Sequence, residues 1–322
     1  MAENQYIYAV ARIRCREQRL LNASFLEQLV TAPDAEACMR LLGEKGWDGG
    51  GPEDSDGMLA QEQKRTWDLM RELVQDMSVF DVFLYENDYH NLKAAIKECK
   101  SPNAFSNIYL SQGTVPVERI RQAVQENRLE DLPERMREPA REARQALLHT
   151  GDGQLCDMIL DRAALEAVRQ AGEASGNEFL KLYGELTVAA ADIKMAVRAS
   201  RTGKNRAFLD TALVECRTLN RDSLARAALD SEEAVAAYLE KTDYQDGAQE
   251  LRESPSAFER WCDNLLIRRI RPQLRNPFGI GPLAAYILAR DNEIKSVRII
   301  LAGKRNRLPE EAIRERVRET YV

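Results

Sequence analysis

The sequence predicts an all-α protein built from three copies of one helical unit. Two observations predict it. Apolar residues recur at helical spacing in three long stretches, and a weak internal repeat of about 100 residues returns near the end of each. The repeated segments are Asn91-Leu92-Lys93-Ala94-Ala95-Ile96-Lys97, Asp192-Ile193-Lys194-Met195-Ala196-Val197-Arg198 and Glu293-Ile294-Lys295-Ser296-Val297-Arg298. The first two match at an offset of 101; the third keeps 101 at its start and drops to 100 by Val297-Arg298. Repetition of one unit points to a shaped scaffold and away from a single catalytic pocket. The units span residues 1–101, 102–203 and 204–322.

Each element follows from a local signal. Thr31 to Trp47 aligns with Ala228 to Tyr244 at an offset of 197, with Asp34 and Ser231 placed as helix N-caps. The middle unit shows this feature faintly, near Gln125 to Pro133. The stretch from Trp47 to Gly57 reads as a flexible acidic loop whose carboxylates lack calcium-loop spacing. Val82, Tyr85, Tyr89, Leu92 and Ile96 form one apolar stripe, and Phe179, Leu182, Leu186, Ala190, Ile193 and Val197 form the second. Leu283, Tyr286, Ile287, Ile294, Val297 and Leu301 follow less cleanly, in a helix that Pro282 opens and Gly303 ends. Breaks follow each motif at Ser101-Pro102-Asn103, Thr202-Gly203-Lys204-Asn205 and Ala302-Gly303-Lys304-Arg305-Asn306.

Composition excludes several classes. The longest apolar stretch, Leu283 to Ala289, is far too short to span a bilayer. The N-terminal Met1-Ala2-Glu3-Asn4-Gln5 opens no signal peptide, so a cytosolic protein is expected. Six scattered cysteines form no Cys-x-x-Cys pair and read as reduced, semi-buried residues. With only His90 and His149, a zinc site is not expected. There is no phosphate-binding loop, no dinucleotide fingerprint, no nucleophile elbow and no Cys set beside a His base, so neither an enzyme nor a cofactor is expected. Gly279-Ile280-Gly281-Pro282 is a turn into a helix.

Charge is uneven. Residues 261–322 hold 13 cations and 7 anions in a chain whose net charge is −6. The densest cluster supplies Arg268, Arg269, Arg271 and Arg275. It reads either as a helix end, where cations are favoured and Pro272 stops the helix, or as an anchor for acidic side chains or lipid headgroups. Nucleic acid is not expected, because the balance is acidic and no binding motif accompanies the cluster. Lys93, Lys194 and Lys295 invite a reading as cations around a central opening. The alternative is that each pairs with a carboxylate of its own unit and covers its helix stripe. Asn91, Asp192 and Glu293 then serve the shape of the repeat.

With these residues in view, the chain resembles the C subunit of bacterial and archaeal V-type (A-type) ATPases, equivalent to the d subunit of vacuolar ATPases, over nearly its whole length. The carriers are Tyr6 to Arg14, Tyr89-His90-Asn91-Leu92-Lys93, and the ending from Tyr286 through Asp291 to Lys304 and on to Tyr321-Val322. The resemblance implies three helical bundles around a pseudo-threefold axis, forming a funnel. It implies a non-catalytic rotor component, peripheral on the cytoplasmic face of the membrane ring, that receives the shaft made by the D and F subunits and supports ATP-linked proton or sodium transport. A different class shares most of these features: a helical-repeat adaptor whose units stack in an open line around another partner.

Overall fold

The computed structural model describes residues 6–49, 54–100 and 108–322. No strand occurs among them, and the chain is all-helical as predicted. The helices are α1 (Ile7–Glu17), α2 (Ala23–Thr31), α3 (Ala35–Glu44), α4 (Ser55–Leu73), α5 (Tyr85–Lys100), α6 (Val117–Gln125), α7 (Glu134–Thr150), α8 (Gly153–Ala174), α9 (Glu178–Arg201), α10 (Arg206–Ala212), α11 (Arg221–Asp230), α12 (Glu232–Leu239), α13 (Gln245–Glu253), α14 (Pro255–Ile270), α15 (Gly281–Arg305) and α16 (Glu310–Arg314). They pack as two compact units, one of residues 1–77 with 249–322, the other of residues 78–248.

Short polar residues start most of these helices. Asp34 accepts the Ala37 N–H at 2.8 Å and Ser231 accepts that of Ala234 at 3.0 Å, as the sequence indicated. Asp54 caps α4 through the Gly57 N–H at 2.8 Å. The expected acidic loop is therefore shorter than its composition suggested. Trp47 is buried in the first unit's core, residues 50–53 lie outside the described residues, and Ser55 to Gly57 are already helical.

Helix ends use left-handed residues. Gly203, at a φ of 61°, closes α9 while the Lys204 N–H reaches back to the Ala199 carbonyl. Arg307, at a φ of 55°, does the same for α15, with the Leu308 N–H on the Gly303 carbonyl. Gly303 is thus not the end of its helix. It lies within α15 because Ile313 packs against it: an added Cβ would stand 2.6 Å from the Ile313 side chain. The first expected break, Ser101-Pro102-Asn103, lies outside the described residues.

The first unit's core joins Leu26 and Leu29 of α2, Leu42 of α3 and Leu59 of α4 to Ile294, Val297 and Ile300 of α15. Gly281 through Arg290 of α15 are all buried, which explains the blurred stripe in its sequence: a helix enclosed on every side shows no polar face. The second unit's core joins Leu92 and Ile96 of α5, Ile120 of α6, Met136 and Ala140 of α7 and Leu160 of α8. There α8 and α9 form a hairpin of close approach. A Cβ on Gly172 would meet the Leu180 carbonyl at 2.7 Å, so only glycine lets the two backbones lie so near. The buried Cys38 and Cys156 thiols are pushed up to about 11 by burial and remain small apolar fillers.

Candidate functional site

The three repeated motifs place a buried polar side chain at the same point of α5, α9 and α15. Asn91 has no exposed surface, Asp192 is 2% exposed and Glu293 4%. Each takes hold of a crossing backbone. The Asn91 carboxamide accepts the Leu110 N–H at 2.8 Å and donates to the Leu110 carbonyl at 2.9 Å. Asp192 accepts the Val214 N–H at 3.1 Å. Glu293 accepts the Leu21 N–H. Without Asp192 and Glu293, the N–H groups of the buried Val214 and Leu21 would be unpaired at a cost of about 1–3 kcal/mol each, whereas Leu110 is exposed.

Carboxylates upstream on the same helices extend the pattern. Asp88 accepts the Thr114 and Val115 N–H groups at 2.8 and 3.2 Å and pairs with Arg135 at 2.6 Å. Glu185 accepts the Arg217 and Thr218 N–H groups, both at 2.7 Å. Neither was singled out in the sequence, although each stands on its motif's face, at i−3 from Asn91 and i−7 from Asp192. Burial pushes the Asp192 and Glu293 carboxyls up to about 7. The hydrogen bond from Val214 opposes burial at Asp192, and Arg290 opposes it at Glu293.

The motif lysines behave less uniformly. Lys93 pairs with Asp161 of α8 at 2.5 Å, and Lys97, one turn on, pairs with Asp157 at 2.6 Å. Lys295 pairs with Asp263 of α14 at 2.5 Å. Asp161 belongs to the second sequence unit, so pairing inside its own unit does not describe Lys93; α5 lies against α8 and finds its carboxylate there. Lys194 is exposed and lines, with Lys93, a cleft of about 420 Å³ in the second unit. That cleft is nearly balanced, its cations facing Glu86, Asp161 and Asp192.

The basic cluster ends α14, and half of it is used internally. Arg268 donates to Glu319 at 2.6 Å and Arg271 to the Thr320 carbonyl at 2.7 Å. The same tail is held by Asn264, which accepts the Glu319 N–H at 2.8 Å, and by the ion pair of the buried Arg318 with Asp263 at 2.8 Å. Arg269 and Arg275 are exposed and form no ion pair among the described residues. Among the described residues no group of three or more His, Cys, Asp or Glu could hold a metal ion. No helix among them is long and apolar enough to cross a membrane.

A family model described as ATP synthase (C/AC39) subunit matches residues 9–316. The C subunit of the V-type ATP synthase of Thermus thermophilus is 26% identical over 98% of this chain and 98% of its own length. The C subunit of the V-type sodium ATPase of Enterococcus hirae is 22% identical over 96% of this chain and 97% of its own. The C subunit of the A-type ATP synthase of Methanocaldococcus jannaschii is 23% identical over 96% and 85%. The match begins in α1 and runs through α16, and the chain belongs to the ATP synthase (C/AC39) subunit family.

Proposed function

We propose that this chain is a non-catalytic central-stalk component that couples the rotating shaft of a V-type ATPase, made by the D and F subunits, to the membrane rotor ring. It would sit peripherally on the cytoplasmic face and support ATP-linked ion transport. The observation that carries this reading is the end-to-end match to the C subunits of V-type and A-type complexes. The physical demands of the role agree with it. A torque coupler needs stiffness, and buried acceptors that lock crossing backbones supply it.

The reading includes three bundles, 1–101, 102–203 and 204–322, closing around a pseudo-threefold axis as a funnel. A scattering envelope of the isolated chain tests this: a funnel supports it, and a rod favours an open-line adaptor. Ring contact is assigned to Arg269 and Arg275, the two arginines of the cluster with no internal partner among the described residues. Co-expression with the shaft and ring proteins should recover all of them with this chain. Failure to recover either would overturn the reading. Arg269→Glu with Arg275→Glu should reduce the recovered ring and leave the shaft bound.

A further inference from the structure

Two clefts of similar size differ in charge. In the first unit, the end of α1, the turn after α3, and the facing sides of α4 and α15 enclose about 390 Å³. Five cations line it, Arg16, Arg19, Lys45, Arg65 and Arg290, against one carboxylate, Glu62. That carboxylate is already engaged. Glu62 is buried and accepts from Arg65 at 2.5 Å and from Arg290. Arg290 lies over the Trp47 ring at 4.9 Å and also donates to Glu293 at 2.5 Å, and Arg65 also pairs with Asp48. Arg16, Arg19 and Lys45 form no ion pair among the described residues, and the Lys45 ammonium lies over the Phe25 ring at 5.1 Å.

Three cations without a carboxylate partner on a concave wall create a positive potential that is sharpened by the low-dielectric protein behind them. The guanidinium groups suit the geometry of phosphoryl oxygens, and the ammonium of Lys45 adds a point charge. The volume lies at the small end of the range for small-molecule sites, about 300–1,000 Å³. It suits a compact anion better than a folded segment of another protein. By contrast, the second unit's cleft carries its own carboxylates and places no such demand on a ligand.

We propose that the first unit's cleft binds a small, multiply charged, phosphate-type anion, held by Arg16, Arg19 and Lys45. The site goes beyond the coupling role and stands whether or not the chain transmits torque. Its test is thermal unfolding of the full chain at constant ionic strength, with inorganic pyrophosphate exchanged for chloride. Binding to the folded state alone raises the midpoint in a saturable way. Arg16→Gln with Arg19→Gln should weaken the apparent affinity about tenfold or more, and Lys45→Gln, at an exposed turn, should weaken it less. Arg226→Gln, on the second unit, should leave it unchanged. Three results would overturn the site: a midpoint that follows ionic strength only, equal binding by the double variant, or a response to polyglutamate with none to pyrophosphate.

Discussion

Helices α9 and α15 solve one problem in two ways. Both bury a carboxylate at the first motif position and both use it to hold a crossing N–H. Asp192 does so with no ion pair among the described residues, both its oxygens facing the one Val214 N–H. Glu293 does so inside an ion network with Arg290 and Glu62, all three nearly inaccessible. Helix α5 places a neutral amide, Asn91, at the same point. What the repeat preserves is therefore a buried acceptor for a crossing backbone N–H, while charge at that point varies with the surroundings.

The largest effect expected from breaking this comparison is at α15. Arg290→Leu removes the cation that Glu62 and Glu293 share; Glu62 keeps Arg65, and Glu293 is left without a cation. Stability should fall by about 3–5 kcal/mol, because removing one partner of a buried pair leaves an uncompensated charge. Denaturant unfolding measures it, and a change below about 1 kcal/mol would show that the network is not a structural one.

Next comes the contact of α8 with α9. Gly172→Ala drives a methyl group against the Leu180 carbonyl and should cost about 1–3 kcal/mol, where an unstrained helical glycine would gain from alanine. The sign alone, read by denaturant unfolding, decides whether the close approach is real.

At α9, Asp192→Asn installs the residue that α5 already uses. The Asp192 pKa is raised on folding, so the folded state holds its proton more tightly than the unfolded chain. That contribution is present below the ordinary carboxylate range and is lost as pH rises to about 7. The charges acting on this carboxyl besides burial are Arg221, Glu215 and Arg162. Asp192→Asn should leave stability at pH 4 nearly unchanged and raise it at pH 8 by on the order of 1–3 kcal/mol. Asp192→Leu should lower it at both, since no acceptor remains for Val214. Equal effects of Asn and Leu would remove the acceptor role.

The smallest effect is expected at the motif lysines. Lys93→Ala breaks a partly exposed pair with Asp161 and should cost less than about 1 kcal/mol in the same unfolding measurement.

Much of this was legible in the sequence. The stripe at α5 and the caps at Asp34 and Ser231 rest on spacing within one turn or two, and spacing survives folding. At α9 only Phe179, Ile193 and Val197 of the expected stripe are buried, and the buried face runs through Val188, Ala189 and Ala196 in place of the half-buried Leu182, Leu186 and Ala190. The motif positions were visible, but their use was not. That Asn91 faces Leu110, or Glu293 faces Leu21, depends on which loop crosses which helix, and no local pattern encodes it. The same limit hid Glu62 and Arg290, which lie 228 residues apart in sequence and meet only through the packing of α4 on α15. It also hid the internal use of Arg268 and Arg271, whose partners are supplied by the chain's last residues. Gly303 misled for a related reason: its place within α15 is fixed by Ile313, ten residues on and in another helix.

The coupling role is tested most directly by reconstituting the complex in vesicles with and without this chain, and measuring ATP hydrolysis and ion uptake together. The account predicts that hydrolysis continues without the chain while uptake is lost, and that adding the chain back restores uptake. Uptake that proceeds without it, or hydrolysis by the chain alone, would contradict the account.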